Sequence, residues 1–193
     1  MVRQRSKPII YTIGHSTRTI DQFLALLQAH RVDNLVDVRT IPKSRHNPQF
    51  SQADLAKALS NFGMRYEHLP LLGGLRHARK DSINIGWDNL SFRGFADYMQ
   101  TEEFDRGLER LKAIAQERTT AIMCAEAVPW RCHRSLIADA LTKQKWQVRH
   151  IQSKKTARIH TITPFLRKRS GKLVYPKVDE ASRSRVPRTP RRS

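Results

Sequence analysis

The stretch Met123–Leu141, MCAEAVPWRCHRSLIADAL, decides the fold of this chain. An apolar run over residues 120–123 leads into Cys124, a short loop follows, and Cys132 opens a segment with apolar residues at helical spacing. The pattern predicts a strand, a loop and an amphipathic helix. Both cysteines of the protein therefore lie in one strand–loop–helix turn, beside arginines and a histidine.

Turns of this kind bind anions, because free N–H groups and the positive end of the helix dipole face the loop. The same field lowers the pKa of a nearby thiol and makes it a better nucleophile. Cys124 stands where a strand-end nucleophile is expected, but a small buried hydrophobic residue fits the same position. Cys132 is either a resolving thiol or a packing residue.

Short β-prone runs alternate with helical patterns along the rest of the chain, as in layered α/β domains. Thr19 with Gln22 forms a capping box, and Ser51 caps a second helix. We predict a single α/β domain with a mainly parallel, Rossmann-like sheet flanked by helices. The β-prone runs are residues 9–13, 35–39, 65–69, 120–123 and 146–151.

The chain divides into three parts by composition. We expect the α/β domain over residues 8–153, a C-terminal appendage over 154–176, and a disordered Arg/Ser/Pro-rich tail over 177–193. Within the domain, residues 76–90 are polar and predict a long surface loop of the kind that serves as a lid or a binding segment.

The charge balance favours polyanionic partners. The 193 residues contain 36 Lys and Arg against 17 Asp and Glu, a formal net charge of +19. Residues 154–193 contribute +11 of this charge, and the remainder is itself basic. We expect nucleic acid or another polyanion as partner, and a phosphate-containing small molecule is a further candidate. A tail that serves solubility alone is the alternative.

The expected cellular compartment follows from two missing signals in the sequence, a membrane-spanning run and a secretory signal. No apolar run approaches the length of about 20 residues that spans a membrane, so no membrane contact is expected. Two cysteines and a basic N-terminus without a secretory signal favour the cytoplasm, with reduced thiols. A disulfide between the two cysteines stays open as a redox switch.

Polar and basic side chains follow the ends of the predicted strands, where parallel sheets bind ligands. His15 and His133 are candidate acid/base groups, because imidazole titrates near neutral pH, although hydrogen bonds to loop carbonyls explain them equally well. Glu126 accepts a proton, orients a neighbouring arginine, or forms a structural ion pair. The candidate anion- and substrate-binding residues are Ser16, Asp37, Arg39, Arg45, Gly73, Gly74, Arg131, Cys132 and Arg134.

Two further predictions concern charge pairing and metals. Asp37 and Arg39 are spaced to form a salt bridge that supports the first two loops. Cys124, Cys132, His133 and His15 offer four possible zinc ligands, but the Cys-x7-Cys-His spacing is not a usual zinc pattern. We therefore predict no metal and no cofactor.

The segments YTIGHSTRTIDQF, LVDVRTIPKSRHNPQFS, YEHLPLLGGLR and MCAEAVPWRCHRSLIADAL together carry a family resemblance. Over Ile10 to Ile151 the chain resembles the bacterial and archaeal family called domain of unknown function 488. The resemblance implies a fold and a shared site rather than an activity. Its signature positions here are Gly14, His15, Ser16, Asp37, Arg39, Pro42, Ser44, Phe50, Gly73, Gly74, Cys124, Glu126, Cys132, His133 and Arg134.

A second, weaker likeness is to rhodanese and cysteine phosphatase domains. Those domains hold sulfur or phosphate with a Cys-x4/5-Arg loop at a helix N-terminus. Here the first arginine after Cys124 is Arg131, which gives Cys-x6-Arg, so the likeness serves as an analogy only.

Three functions remain open. The first is an enzyme acting on a phosphate-containing substrate, a nucleic acid or a nucleotide. In this enzyme Cys124 is the nucleophile, His15 or His133 the acid/base, and Glu126 an orienting group. The second is a non-catalytic nucleic-acid-binding module in which the thiols are structural. The third is a rhodanese-like sulfur or redox protein with a persulfide or disulfide on Cys124.

Overall fold

One sheet of six strands forms the centre of the molecule. The computed structural model describes residues 7–44 and 46–177. The strands are β1 (Ile9–Gly14), β2 (Asn34–Asp37), β3 (Arg65–His68), β4 (Thr120–Cys124), β5 (Gln147–Ile151) and β6 (Ala157–Ile159). Their order is β3-β2-β4-β1-β5-β6. The first five are parallel, and β6 runs antiparallel to β5.

Helices cover both faces of this sheet. They are α1 (Ile20–Ala29), α2 (Gln52–Asn61), α3 (Leu90–Tyr98), α4 (Glu102–Glu117) and α5 (Arg134–Lys143). Apolar residues of α1 and α2 form one core with Ile13 and Met123, and those of α3, α4 and α5 form a second core with Ile10 and Ile122. A hairpin of β7 (Arg167–Arg169) and β8 (Lys172–Val174) follows the sheet. The α/β architecture predicted from the sequence is confirmed.

Local sequence signals fix the starts of the first two helices. The Thr19 side chain accepts a hydrogen bond from the Gln22 N–H, and the Gln22 side chain accepts one from the Thr19 N–H. Ser51 accepts from the N–H of Asp54 at the start of α2. Because each cap satisfies N–H groups that have no partner within the helix, both predicted starts are confirmed.

Helix α3 is an element that the sequence did not predict. It contains Gly94, which lowers helix propensity by about 1 kcal/mol relative to alanine. The glycine is required because a Cβ there would collide with the carbonyl oxygen of Arg76. The polar loop before α3 has no helix or strand, as predicted, and Asp97 of α3 accepts hydrogen bonds from Ser82 and Asn84 of this loop.

Helix α5 is buried on every side, so the prediction of an amphipathic helix is wrong. All residues from Arg134 to Leu141 are buried. The C-terminal appendage covers the side that was expected to face solvent. There the Asp139 carboxylate accepts hydrogen bonds from His160 at 2.9 Å and from the Tyr175 hydroxyl at 3.0 Å. Residues 154–176 therefore complete the core, and β6 extends the sheet.

The strand order places a crevice above β1 and β4. These neighbouring strands pair with Gly14 opposite Cys124. β1 continues into α1 on one face of the sheet, whereas β4 continues into α5 on the other face. Their connections thus diverge at the carboxyl edge, which is the arrangement that forms a binding crevice in parallel sheets. None of the described helices combines the length and apolar character needed to cross a membrane.

Candidate active site

A cavity of about 360 Å³, named here the thiol cavity, opens at the carboxyl edge of the sheet. Strand ends and the loops after them bring its walls together from distant parts of the chain. Eight residues predicted from the sequence as site residues line it: His15, Arg39, Gly74, Cys124, Glu126, Arg131, Cys132 and His133.

Four further predicted site residues lie in the described part of the chain and do not line this cavity. Asp37 and Arg134 lie behind it and bind residues that do, and Ser16 and Gly73 shape its loops. Arg45 lies outside the described residues.

Two thiols and an imidazole meet at the floor of the cavity. Cys124 and Cys132, the thiol pair, are free and buried, and their sulfurs and a ring nitrogen of His133 all lie within 4.8 Å of one another. The His133 Nε2–H donates to the Val38 carbonyl at 3.1 Å. Its other nitrogen, Nδ1, lies 3.6 Å from Cys132 Sγ, where it accepts from the thiol or, when it carries a proton, donates to the thiolate.

Hydrogen bonding distributes charge unequally over the thiol pair. The hydrogen bond from the Cys124 thiol lowers the pKa of Cys132 well below its usual range, and His133 and Arg134 lower it further against the effect of burial. The same hydrogen bond, together with burial, raises the pKa of Cys124. Arg134 Nε also donates to Cys132 Sγ at 3.5 Å. These contacts favour Cys132 over Cys124 as the thiolate, and the nucleophilic role of Cys124 stays a sequence prediction.

A buried ion pair fixes one wall of the cavity. Arg39 donates from Nε to Asp37 Oδ1 at 2.9 Å and from Nη2 to Oδ2 at 2.6 Å, and the Tyr66 hydroxyl also donates to Oδ2. The predicted salt bridge is therefore confirmed. Arg39 Nη2 reaches the Phe50 carbonyl as well, but within the described part of the chain its buried Nη1 has no hydrogen-bond partner. This N–H group is a spare donor beside the cavity.

His15 supplies a spare acceptor on the same wall. Its ring stacks on Phe50 with centroids 4.3 Å apart, and Nδ1–H donates to the Ser16 carbonyl at 2.8 Å. Burial lowers the pKa of His15, and the nearby charge of Arg39 acts in the same direction. The ring is therefore neutral near pH 7. Its buried Nε2 carries a lone pair and finds no partner among the described residues.

The start of α5 uses only part of its N–H groups in local hydrogen bonds. The N–H groups of Ser135 and Leu136 in the first turn donate to the carbonyls of Cys132 and His133, each at 3.0 Å, so they are not free to bind an anion. The backbone N–H groups of His133 and Arg134 have no hydrogen-bond partner among the described residues. The anion site expected at this helix start therefore stays a prediction.

Glu126 and the double glycine have local contacts. The Glu126 carboxylate accepts from the Val128 N–H at 3.3 Å and forms no ion pair with an arginine within the described ranges. Its carbonyl oxygen, rather than its carboxylate, accepts from Arg134. A Cβ at Gly74 would collide with the His133 ring. The glycine therefore lets this ring approach the thiols.

Several lining residues were missed by sequence reasoning. Lys43 and Ser44 follow β2 in the loop after Asp37; Ser44 is a signature position of the family resemblance, but neither residue was among the candidate site residues. Ser91 and Phe92 come from α3 and had no such signal, because that helix was not predicted. As to metals, Cys124, Cys132 and His133 offer three donor atoms to a soft cation. The sequence prediction of no metal stays a prediction.

Comparison with known families gives one match. The model described as "Domain of unknown function DUF488" matches residues 19–141, which is more than half of the chain. The matched segment begins at the cap of α1 and ends within α5, so it contains most of the thiol cavity. Comparison with curated proteins gives no match, and comparison with solved structures gives none either.

Proposed function

We propose a function for a chain that belongs to the family of domain of unknown function DUF488: it is an enzyme that acts on a phosphate-containing substrate, a nucleotide or a nucleic acid, in the thiol cavity. One observation carries the proposal. A thiol with anion-stabilising neighbours, a spare arginine donor and a spare histidine acceptor belong to residues that line one cavity. Buried polar atoms without partners are rare in folded proteins, and ligand sites are where they are expected.

Each side chain has a distinct role in this proposal. Cys132 is the nucleophile, because hydrogen bonds from Cys124 and Arg134 stabilise its thiolate. Its sulfur attacks phosphorus, the P–O bond to the leaving group breaks, and the ester oxygen leaves with a proton from water. Arg39 binds the phosphate through Nη1, and Lys43 and Arg131 add positive charge at the cavity wall.

The remaining groups handle protons and position. His15 Nε2 accepts the proton of the water that releases the product from sulfur. His133 positions the Cys132 thiol, since its own orientation is fixed by the Val38 carbonyl. This differs from the sequence-based hypothesis in one respect: the nucleophile is Cys132, and Cys124 is its hydrogen-bond donor.

The test is turnover of a panel of phosphate esters: p-nitrophenyl phosphate, bis-p-nitrophenyl phosphate, nucleoside monophosphates and short oligonucleotides. We expect Cys132→Ser to lose turnover by a factor of at least about a hundred, while binding persists. Cys124→Ser is the matched control and retains a measurable rate. A Cys132→Ser variant with the wild-type rate, or a wild-type chain that turns over no ester of the panel, contradicts the proposal.

A second candidate function is a nucleic-acid-binding module, and the hairpin of β7 and β8 favours it. All three residues of β7 (Arg167–Arg169) are exposed and basic. Binding of a labelled oligonucleotide should weaken steeply between about 50 and about 200 mM salt, because phosphate contacts release counterions. Lys168→Glu with Arg169→Glu should weaken it further. Binding that is unchanged by salt and by both substitutions removes this candidate.

Both candidate functions fit a reducing cellular compartment. The thiol pair is free although its sulfurs lie within hydrogen-bonding reach of each other. Maintenance of two such thiols supports a cytoplasmic location, where glutathione and thioredoxin keep cysteines reduced.

A further inference from the structure

Two further cavities lie outside the thiol cavity. The first, named the aromatic cavity, has a volume of about 410 Å³, and the second, named the cationic cavity, about 200 Å³. They share four lining residues and have none in common with the thiol cavity. The shared residues are Pro129, Trp130, His150 and Gln152. The two cavities therefore adjoin at these residues, and the pair is named here the groove, with two chemically different ends.

The cationic end holds two arginines that form no ion pair with a carboxylate among the described residues. The two are Arg18 and Arg134, and both line this end. Arg134 is only 1% exposed. Burial and the charge of Arg134 lower the pKa of Arg18. A bound anion at this end would relieve the repulsion between the two guanidinium groups. Water is a poor substitute for that anion, because Arg134 is so deeply buried.

A hydroxyl and an imidazole join the two ends of the groove. The Thr12 hydroxyl lies 2.7 Å from His150 Nδ1, and both residues line the cationic end. His150 Nε2 lies 3.0 Å from His160, which is held by Asp139 at 2.9 Å. This chain of hydrogen bonds fixes polar groups beside the arginines, since the Thr12 hydroxyl also lies 3.5 Å from Arg134 Nη1.

Aromatic rings line the other end. Trp130 is 62% exposed although it is a large apolar side chain, and Trp87 and Phe165 line the same cavity with ring centroids 4.9 Å apart. The Trp87 Nε1–H is buried and has no acceptor within the described residues. Rings of this kind stack on nucleobases, and an indole N–H can donate to a base nitrogen or carbonyl.

We propose that this groove binds a nucleoside monophosphate, with its phosphate between Arg18 and Arg134 and its base against Trp130 and Trp87. The site goes beyond the proposed function, because it needs no reaction at the thiol pair and lies outside the thiol cavity. Arg134 contacts both places, since its Nε donates to Cys132 while its Nη1 lies 3.5 Å from the Thr12 hydroxyl.

Calorimetric titration of the full chain with AMP, adenosine and inorganic phosphate tests the proposal. We expect AMP to bind at least about tenfold more tightly than either fragment, because one site engages both ends of the molecule. Trp130→Ala should weaken AMP and adenosine about tenfold, as expected for loss of one stacking partner. Arg18→Ala should weaken AMP but leave adenosine unchanged.

Two control variants separate this site from the thiol cavity. Arg106→Ala removes an exposed arginine of α4 and should bind AMP like the wild type, as should Lys43→Ala, which removes a cation from the thiol cavity. AMP binding that is no tighter than phosphate binding, or that survives both groove substitutions, overturns the proposal. Loss of AMP binding in Lys43→Ala alone places the nucleotide in the thiol cavity; it refutes the groove while leaving the proposed function intact. Urea midpoints equal to the wild type show that the variants are folded.

Discussion

Substitution Asp37→Asn removes the charge that balances Arg39 beneath the thiol cavity. Asp37 is completely buried and Arg39 is 6% exposed, and the carboxylate accepts two side-chain hydrogen bonds from Arg39 at 2.9 and 2.6 Å. It also accepts from the Tyr66 hydroxyl at 2.8 Å. Loss of one partner from a buried pair costs about 3–5 kcal/mol, because the other charge is left buried without compensation. That is a large part of the roughly 5–15 kcal/mol that stabilises a domain.

Urea unfolding measures this loss directly. We expect a large decrease in the midpoint with an unchanged slope, which identifies a change in stability rather than in the unfolded chain. Asp81→Asn is the matched control, because Asp81 pairs with Arg79 at 2.8 Å on an exposed surface and should change the midpoint little. Equal midpoint shifts for the two variants would refute the argument that burial makes the Asp37 pair important. The double variant Asp37→Asn/Arg39→Met should recover part of the loss.

Three further predictions concern pH, capping and the cavity floor. Burial lowers the pKa of His150 from 6.5 to about 3, so in that window the unfolded chain binds a proton that the folded chain does not. The free energy of unfolding should therefore fall on acidification by up to about 1.4 kcal/mol per pH unit. Urea titrations at several pH values measure this dependence, and a His150→Asn variant with the same pH dependence as the wild type would contradict it. Ser51→Ala should cost about 1 kcal/mol by thermal unfolding, whereas Ser60→Ala in the same helix should cost nearly nothing. Gly74→Ala should push the His133 ring aside and slow alkylation of the thiol pair without unfolding the chain. An unchanged alkylation rate would show that Gly74 is not needed to bring the His133 ring to the thiols.

Most of the fold could be predicted because local signals and global packing agree. Residues 9–13 and 120–123 are apolar on both faces, as required for central strands of a parallel sheet, and Thr19 and Ser51 mark helix starts. Helix α3 could not be predicted, since its Gly94 is explained only by a contact with the distant Arg76.

The appendage shows why a local pattern can fail. Helix α5 looks amphipathic in sequence, and only the three-dimensional structure shows that the polar Asp139 is buried against His160 and Tyr175. Apolar spacing predicts which side of a helix meets the first core, but it does not show whether a second layer covers the other side.

The candidate site could be predicted as a set of residues but not as an arrangement. Strand ends indicated His15, Arg39 and Cys124, because all parallel strands deliver their loops to one edge. Which sulfur holds the negative charge depends on distances between side chains. The contacts of Cys132 with His133 and Arg134 are not visible in residue spacing. Which N–H groups stay free at the start of α5 is likewise set by local turn hydrogen bonds, which occupy those of Ser135 and Leu136.

The central claim is that Cys132 carries a stabilised thiolate in a cavity that binds phosphate. Its most direct test is the alkylation rate of each cysteine as a function of pH, followed by mass spectrometry, with and without inorganic phosphate. The account predicts that Cys132 reacts first and at a pH below the usual thiol range, that phosphate protects it, and that Cys124→Ser raises its apparent pKa. Faster reaction at Cys124, or ordinary thiol titration at both positions, would contradict it.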